Sequence, residues 1–324
     1  MTTTLHTHSA APFGLSGICD CHTHVFPPQA QFPFSPTRHY TPDEASIEDL
    51  HALHRSIGVE RVVIVHPSPY AADNSCLLWA LRTIGASARG VAVIDDQTSD
   101  AALTEMHQAG VRGTRLNLET VGQNDPSVGQ QQLLRTAKQV APFGWHIQMY
   151  TNLGVIDGMH DTIMQAATTV VIDHFGRLNA SAGLMQPGFD ALLSLVRSGK
   201  VYVKISAAYR VSEAADYADL DPFAQALIEA NPERIVWGTD WPHPFPPKGQ
   251  VRRPEVIEHF HHEDNQAAIQ RVVRWAGSAE RAKKILVDNP AQLYDFFTDQ
   301  TKQYLAQQTT RSQELARSAN IAAD

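Results

Sequence analysis

Eight short apolar runs, each followed by a stretch of helical periodicity, constrain this chain more than any other feature. The runs are 17–25, 61–67, 90–95, 111–118, 145–151, 169–175, 201–206 and 234–240. Two of them, RVVIVHP and GVAVID, are apolar almost throughout, as expected of strands buried on both faces. The stretches between them predict helices near 74–88, 100–109, 128–141, 155–167, 188–198 and 219–230. After the first run, Thr41 suits an N-cap, Pro42 the first helical position and Glu44 a capping-box partner. That helix would carry Leu50, Leu53 and Ile57 and stop at Gly58. Strand and helix alternating eight times predict an α/β fold, a single (β/α)8 TIM barrel with two or three extra C-terminal helices over 253–298. An open doubly wound sheet has the same periodicity, but no Gly-rich phosphate loop follows the first run. The expected domain is 17–298, with a polar arm at 1–16 and a polar tail at 299–324.

Charge and cysteine usage narrow the function classes. A chain of 324 residues that is 43% hydrophobic can build one barrel core, and its net charge of −8 argues against a general nucleic-acid surface. Cys19, Cys21 and Cys76 form no CxxC pair and indicate no disulfide framework. Met1 to Pro12 lacks a basic start followed by an apolar run, and no run approaches a membrane span. The expectation is a soluble, cytoplasmic protein acting on a small molecule.

A barrel places its active site at the C-terminal ends of its strands, so position sorts the candidates. Strand one ends in Asp20-Cys-His22-Thr-His24. Simple alternation would put Asp20, His22 and His24 on one face and Cys19, Cys21 and Thr23 on the other. Two imidazoles at that spacing can hold a divalent ion or polarise a carbonyl. Strand two offers His66, with Ser68 and Tyr70 beyond it. Strand four offers Arg115 and Asn117, and strand five Tyr150. Strand six offers Asp173 and His174, with Arg177 just after. Beyond strand seven lie Ser206, Tyr209 and Arg210, and strand eight leads to Asp240 and His243. His66, His39 and the run His259 to His262 are expected to be structural, the run as a solvated helix face.

The motifs ICDCHTHVF, VVIDHFGR and VWGTDWPHP, with the C-terminal NPAQLYDF, resemble the amidohydrolase superfamily over residues 17–297. The resemblance implies that His22 and His24 match the strand-one pair and Asp240 the strand-eight acid. Binuclear members carry a bridging lysine on strand four, where this chain reads Arg-Leu-Asn. Metal-binding members carry a histidine at the end of strand five, where this chain has Tyr150; His146 lies ~13 Å further back. This set is similar to the 2-pyrone-4,6-dicarboxylate lactonase branch, which hydrolyses lactones without a metal and has relatives acting on sulfomuconolactone and sugar-acid lactones.

The resemblance implies a hydrolase that opens a small acidic lactone with no required cofactor. Asp240 would activate water in surroundings that raise its basicity. His22, His24 and His174 would stabilise the carbonyl oxygen. Arg115, Asn117, Tyr150, Arg177, Arg210, Ser68 and His243 would bind substrate, the arginines by their fit to planar anions. The alternative is a mononuclear hydrolase or non-oxidative decarboxylase in which His22, His24 and Asp240 hold one Zn2+ or Mn2+. A barrel that only binds a ligand is the third reading.

Overall fold

The computed structural model describes residues 14–246 and 250–297. The expected polar tail and most of the expected arm lie outside those residues. Eight strands form one sheet: β1 (Cys19–Thr23), β2 (Arg61–Val65), β3 (Ala88–Ala92), β4 (Val111–Asn117), β5 (His146–Tyr150), β6 (Val170–Ile172), β7 (Val201–Lys204) and β8 (Ile235–Val236). They pair in chain order and every pair is parallel. Backbone bonds from Cys21 N to Trp237 O (2.9 Å), Asp240 N to His22 O (2.8 Å) and His24 N to Trp241 O (2.8 Å) join the last strand to the first. The (β/α)8 barrel is therefore closed at its mouth as well as along its wall.

The core follows the alternation of parallel strands buried on both faces. Val62 and Ile64 of β2 pack outward with the helices, while Val63 and Val65 pack inward with Cys19, Cys21, Val91, Val171, Tyr202 and Val236. Tyr294 of the NPAQLYDF stretch joins this inner cluster and meets His146 edge-on at 5.2 Å, plugging the end where the strands begin.

Strand one breaks the simple alternation. Its register slips by one residue, three steps from Asp20 to Thr23 matching two from Val62 to Ile64. A bulge of this kind reverses which side chains face in. Cys19 and Cys21 thus point into the barrel, and so do His22 and His24 above them. Asp20 does not join the histidines. Its carboxylate accepts from Thr239 N (2.9 Å) and Thr239 Oγ1 (2.6 Å) and meets His54 Nε2 at 3.2 Å. Gly238 permits this seam, because a Cβ there would lie 2.5 Å from the His22 nitrogen.

Other boundaries also moved. The first helix, α1 (Ile47–Ile57), is capped by Ser46, whose side chain accepts from Asp49 N, and not by Thr41. Thr41–Pro42 instead pairs as a short strand with Ile257–Glu258. That pairing ties the loop after β1 to the loop after β8 over the barrel mouth. The predicted stop at Gly58 holds, with φ of 70°. The predicted 155–167 helix divides into α5 (Leu153–Gly158) and α6 (His160–Gln165), after α2 (Ser75–Ile84), α3 (Asp100–Gln108) and α4 (Pro126–Val140). The run His259 to His262 is not helical: it precedes the helix Asn265–Ala276, with His259 paired to Asp43 at 2.6 Å and His261 stacked on Tyr209 at 4.6 Å. No helix among the described residues is long and apolar enough to cross a membrane.

Candidate active site

Four of the predicted side chains meet at the barrel mouth. Asp240 Oδ1 lies 3.5 Å from His22 Nε2, 3.6 Å from His24 Nε2 and 3.7 Å from His174 Nε2. All four residues are buried. The distances are too long for good hydrogen bonds, and both Asp240 Oδ1 and His22 Nε2 are left without a partner. The other carboxylate oxygen is fully used. Tyr209 O–H donates to Asp240 Oδ2 at 2.5 Å and Arg210 Nε donates to it at 2.7 Å.

The backbone that holds these groups is bent into an unusual region. Asp240 has φ of 64°, His243 of 71°, His174 of 49° and Phe175 of 56°. Positive φ is costly for such residues and is kept where the surroundings enforce it. Here it turns the chain after β6 and β8 sharply, so His174 and Asp240 both face the axis.

Each imidazole is fixed from behind. His24 Nδ1 donates to Val65 O at 2.7 Å, which leaves its Nε2 as a bare acceptor facing Asp240. His174 Nδ1 meets Ser206 Oγ at 2.8 Å. His22 Nδ1 faces Asp173 Oδ1 and Lys204 Nζ, each at 3.3 Å. Burial lowers all three imidazoles, His22 to about 3, so they are neutral at physiological pH. Burial alone would raise Asp240, but the Arg210 guanidinium beside it holds its carboxyl well below the usual range. The expectation that its surroundings raise its basicity therefore fails. Asp240 is a fully ionised, weakly basic carboxylate.

A cavity of about 210 Å³ opens above Asp240. Its walls include His24, His174, Ser68, Arg115, Asn117, Tyr150, Arg210, Tyr40 and Arg252. The Tyr150 ring sits among cations, with Arg115 5.2 Å and Arg210 5.9 Å from its centroid. A larger cavity of about 400 Å³ adjoins it through Ser68, Arg115, Asn117 and Thr120, and His39 and His66 line that neighbour. The smaller cavity is the one lined by Asp240, His24 and His174.

Two predicted binding residues do not line this cavity, although the Arg177 guanidinium also lies 5.9 Å from the Tyr150 centroid. Arg177 reaches Glu119 Oε1 at 3.3 Å and Arg210 O at 2.5 Å and lines a separate cavity. His243 packs behind Asp240, with Nε2 3.1 Å from Asn265 Nδ2. Arg210 lines the cavity, but its donors go to Asp240, Pro244 O at 3.1 Å and Tyr150 O–H at 3.4 Å. Three residues near the site carry no signal of a role at strand ends, and Tyr209, which the sequence places only after strand seven, joins them as a partner of Asp240. Arg252, 4.0 Å above the Tyr40 ring, lies in a loop with no periodicity. Lys204 and Gln148 are inward residues of β7 and β5, and a charged residue two places after Tyr202 in an apolar strand was the available signal.

The donor set also admits a metal. Ligand atoms of His22, His174 and Asp240 all lie within 4.8 Å of one another, and two are orphaned. Neutral imidazoles and a carboxylate suit Zn2+ or Mn2+, so these residues fit such an ion.

Burial of neutral histidines has a consequence for stability. His66 is lowered to about 4 and His146 to about 3, both by burial first. A group whose folded pKa lies below its unfolded value near 6.5 binds its proton preferentially in the unfolded chain. Stability is therefore complete above that value and is lost as pH falls through it. Between pH 7 and pH 5 the loss is about 2 kcal/mol for each of these two residues. The Tm should fall by several degrees over that interval; a flat Tm would show that these imidazoles are not buried as neutral bases.

Comparison with known proteins agrees with this architecture. Residues 19–296 match the family model described as Amidohydrolase. A 2-pyrone-4,6-dicarboxylate hydrolase of Comamonas testosteroni is 35% identical over 289 residues, covering 86% of this chain and 90% of that protein. A 4-sulfomuconolactone hydrolase of Rhizobium radiobacter is 34% identical over 281 residues, covering 86% and 90%. A Pseudomonas putida structure, assigned provisionally as a 2-pyrone-4,6-dicarboxylic acid hydrolase, aligns with a TM-score of 0.73 at 32% identity, over 88% of this chain and 100% of that one. A model match across nearly the whole barrel, with relatives above 30% identity over most of both chains, shows that the chain belongs to the amidohydrolase family.

Proposed function

We propose that the protein hydrolyses the ring ester of a small acidic lactone. One observation carries this reading: a carboxylate with a free oxygen faces three neutral imidazoles beneath a cavity walled by Arg115, Arg210 and Arg252. The arginines and Tyr150 supply the anion site, which lets an acidic protein hold an acidic substrate. Relatives named as hydrolases of pyrone dicarboxylate and sulfomuconolactone support the substrate class.

A water seated among these groups would donate one hydrogen bond to Asp240 Oδ1 and one to the bare His24 Nε2. His24 is thus a water holder, and not one of the carbonyl stabilisers. His174 and His22 are placed to donate to the carbonyl oxygen as it gains charge. Asp240 takes the water's proton during attack. A weak base suffices because the water grows acidic as its oxygen bonds to carbon. Collapse of the tetrahedral intermediate breaks the ring C–O bond, and the proton on Asp240 passes to the departing oxygen. Lactone and water become an open hydroxy acid, and Asp240 returns ionised.

The second reading places one divalent ion on His22, His174 and Asp240, with His24 beside them. When bound, such an ion lowers the pKa of its water. We expect activity without it, because Arg210 already compensates the charge of Asp240. The test is a panel of pyrone dicarboxylate, sulfomuconolactone and sugar-acid lactones, assayed by proton release before and after strong chelation with elemental analysis. The expected result is turnover of an acidic lactone that survives metal removal. Loss that only Zn2+ or Mn2+ restores favours the second reading, and no turnover above buffer on any lactone overturns both.

A further inference from the structure

Below the four catalytic candidates lies a second buried cluster that the mechanism has not yet used. Lys204 at the end of β7, Gln148 in the middle of β5 and Asp173 just after β6 are all fully enclosed. Lys204 Nζ donates to Gln148 Oε1 at 2.6 Å, faces His22 Nδ1 at 3.3 Å and faces Asp173 Oδ1 at 3.5 Å. Gln148 Nε2 donates to Asp173 Oδ2 at 2.9 Å, and Arg115 Nη2 lies 3.5 Å from that oxygen. The amide orientation is fixed by chemistry. Flipping Gln148 would set its N–H groups against the ammonium and its oxygen against the carboxylate.

We propose that Lys204 is a positioning residue that holds His22 as its Nε2–H tautomer, so that His22 faces the reaction centre as a donor. The proposal rests on the lactonase reading for its catalytic meaning but not for its test. The argument is one of satisfying every buried group. An ammonium has three donors, and three acceptors surround it: Gln148 Oε1, Asp173 Oδ1 and His22 Nδ1. If Nδ1 carried the proton it would donate to Asp173, and the third Lys204 donor would face an N–H group with no other acceptor. An unsatisfied buried donor is costly. With Nδ1 bare, Lys204 keeps its hydrogen bonds to Gln148 Oε1 and His22 Nδ1 and its third donor faces Asp173 Oδ1 at ion-pair distance, 3.5 Å. The proton then sits on Nε2, aimed at Asp240 Oδ1 across 3.5 Å. Two of the orphaned atoms of the site, His22 Nε2 and Asp240 Oδ1, become partners for each other or for a molecule between them.

The consequence concerns metal binding as well as catalysis. A protonated Nε2 has no lone pair for a cation, so Lys204 disfavours metal at a site whose residues otherwise fit one. Lys204→Met keeps the length of the side chain and removes the donors. His22 should then turn to the Nδ1–H tautomer, donating to Asp173 and baring Nε2.

The experiment is ¹⁵N NMR of histidine-labelled protein, with the His22 signals assigned by His22→Gln, together with Zn2+ titration of the chelated protein. The wild type should show a neutral ring with the proton on Nε2, and Lys204→Met should bind Zn2+ at least tenfold more tightly. A wild-type His22 that is Nδ1–H or doubly protonated overturns the proposal, even if the variant does not fold. A folded variant with unchanged tautomer and unchanged Zn2+ affinity overturns it too. Neither readout depends on lactone turnover, so a failed lactone panel and a failed role for Lys204 remain distinguishable.

Discussion

Asp240→Asn is expected to lower kcat by about 10²- to 10⁴-fold, the usual contribution of a positioned general base. The carboxylate lines the cavity beside the imidazoles and keeps one oxygen, Oδ1, free to take a proton. An amide keeps the shape and the contact with Arg210 but cannot accept the proton. KM should change less than kcat if, as proposed, the substrate's anionic group is held on the arginines above. The substitution leaves Arg210 without its buried counter-charge, so circular dichroism and thermal melting are needed to show that the variant is folded. A folded variant with kcat within a few-fold of wild type would mean that another group takes the proton.

Arg115→Met should raise KM by roughly 10- to 100-fold for an acidic lactone, as expected for loss of a charge-assisted contact worth about 1.5–3 kcal/mol. Arg115 lines the cavity, is nearly buried, and has a side-chain nitrogen, Nε, with no partner. Arg177→Met is the contrast. Its donors are already held by Glu119 and the Arg210 carbonyl, so its effect on KM should be small. The Arg115 effect should also disappear on a neutral lactone of the same ring size. Equal KM for wild type and Arg115→Met on the acidic substrate would place the anion elsewhere, with Arg252 as the next cation on the wall.

The two substitutions separate the halves of the site. Asp240 and the imidazoles sit at the strand ends, on backbone bent into positive φ at Asp240 and His174. The proposed anion-binding wall draws Arg115 from β4 but Arg252 from the loop beyond β8, which the short pairing of Thr41–Pro42 with Ile257–Glu258 ties down. Substrate preference can therefore change through the loops while the reacting groups stay in place, the usual division of labour in a barrel.

The sequence by itself determined the eight strands, their parallel order and the groups at their C-terminal ends. Strand periodicity and helix stops are local, and the barrel rule turns chain position into spatial position. That rule placed His22, His24, His174 and Asp240 at one mouth among other strand-end residues, and the resemblance to the amidohydrolases singled them out. Three things were decided only by the tertiary structure. The bulge in β1 moved Asp20 away from the histidines, because a one-residue slip against β2 reverses the facing of every side chain beyond it. The low basicity of Asp240 was set by Arg210, which arrives with Tyr209 from the turn after β7 and keeps the carboxylate ionised. Lys204 and Gln148 were hidden within apolar strands, since a buried charge shows its purpose only when its partners on neighbouring strands are known. Local pattern reports which residues stand at the mouth; the balance of charge and protons among them depends on contacts between strands far apart in the chain.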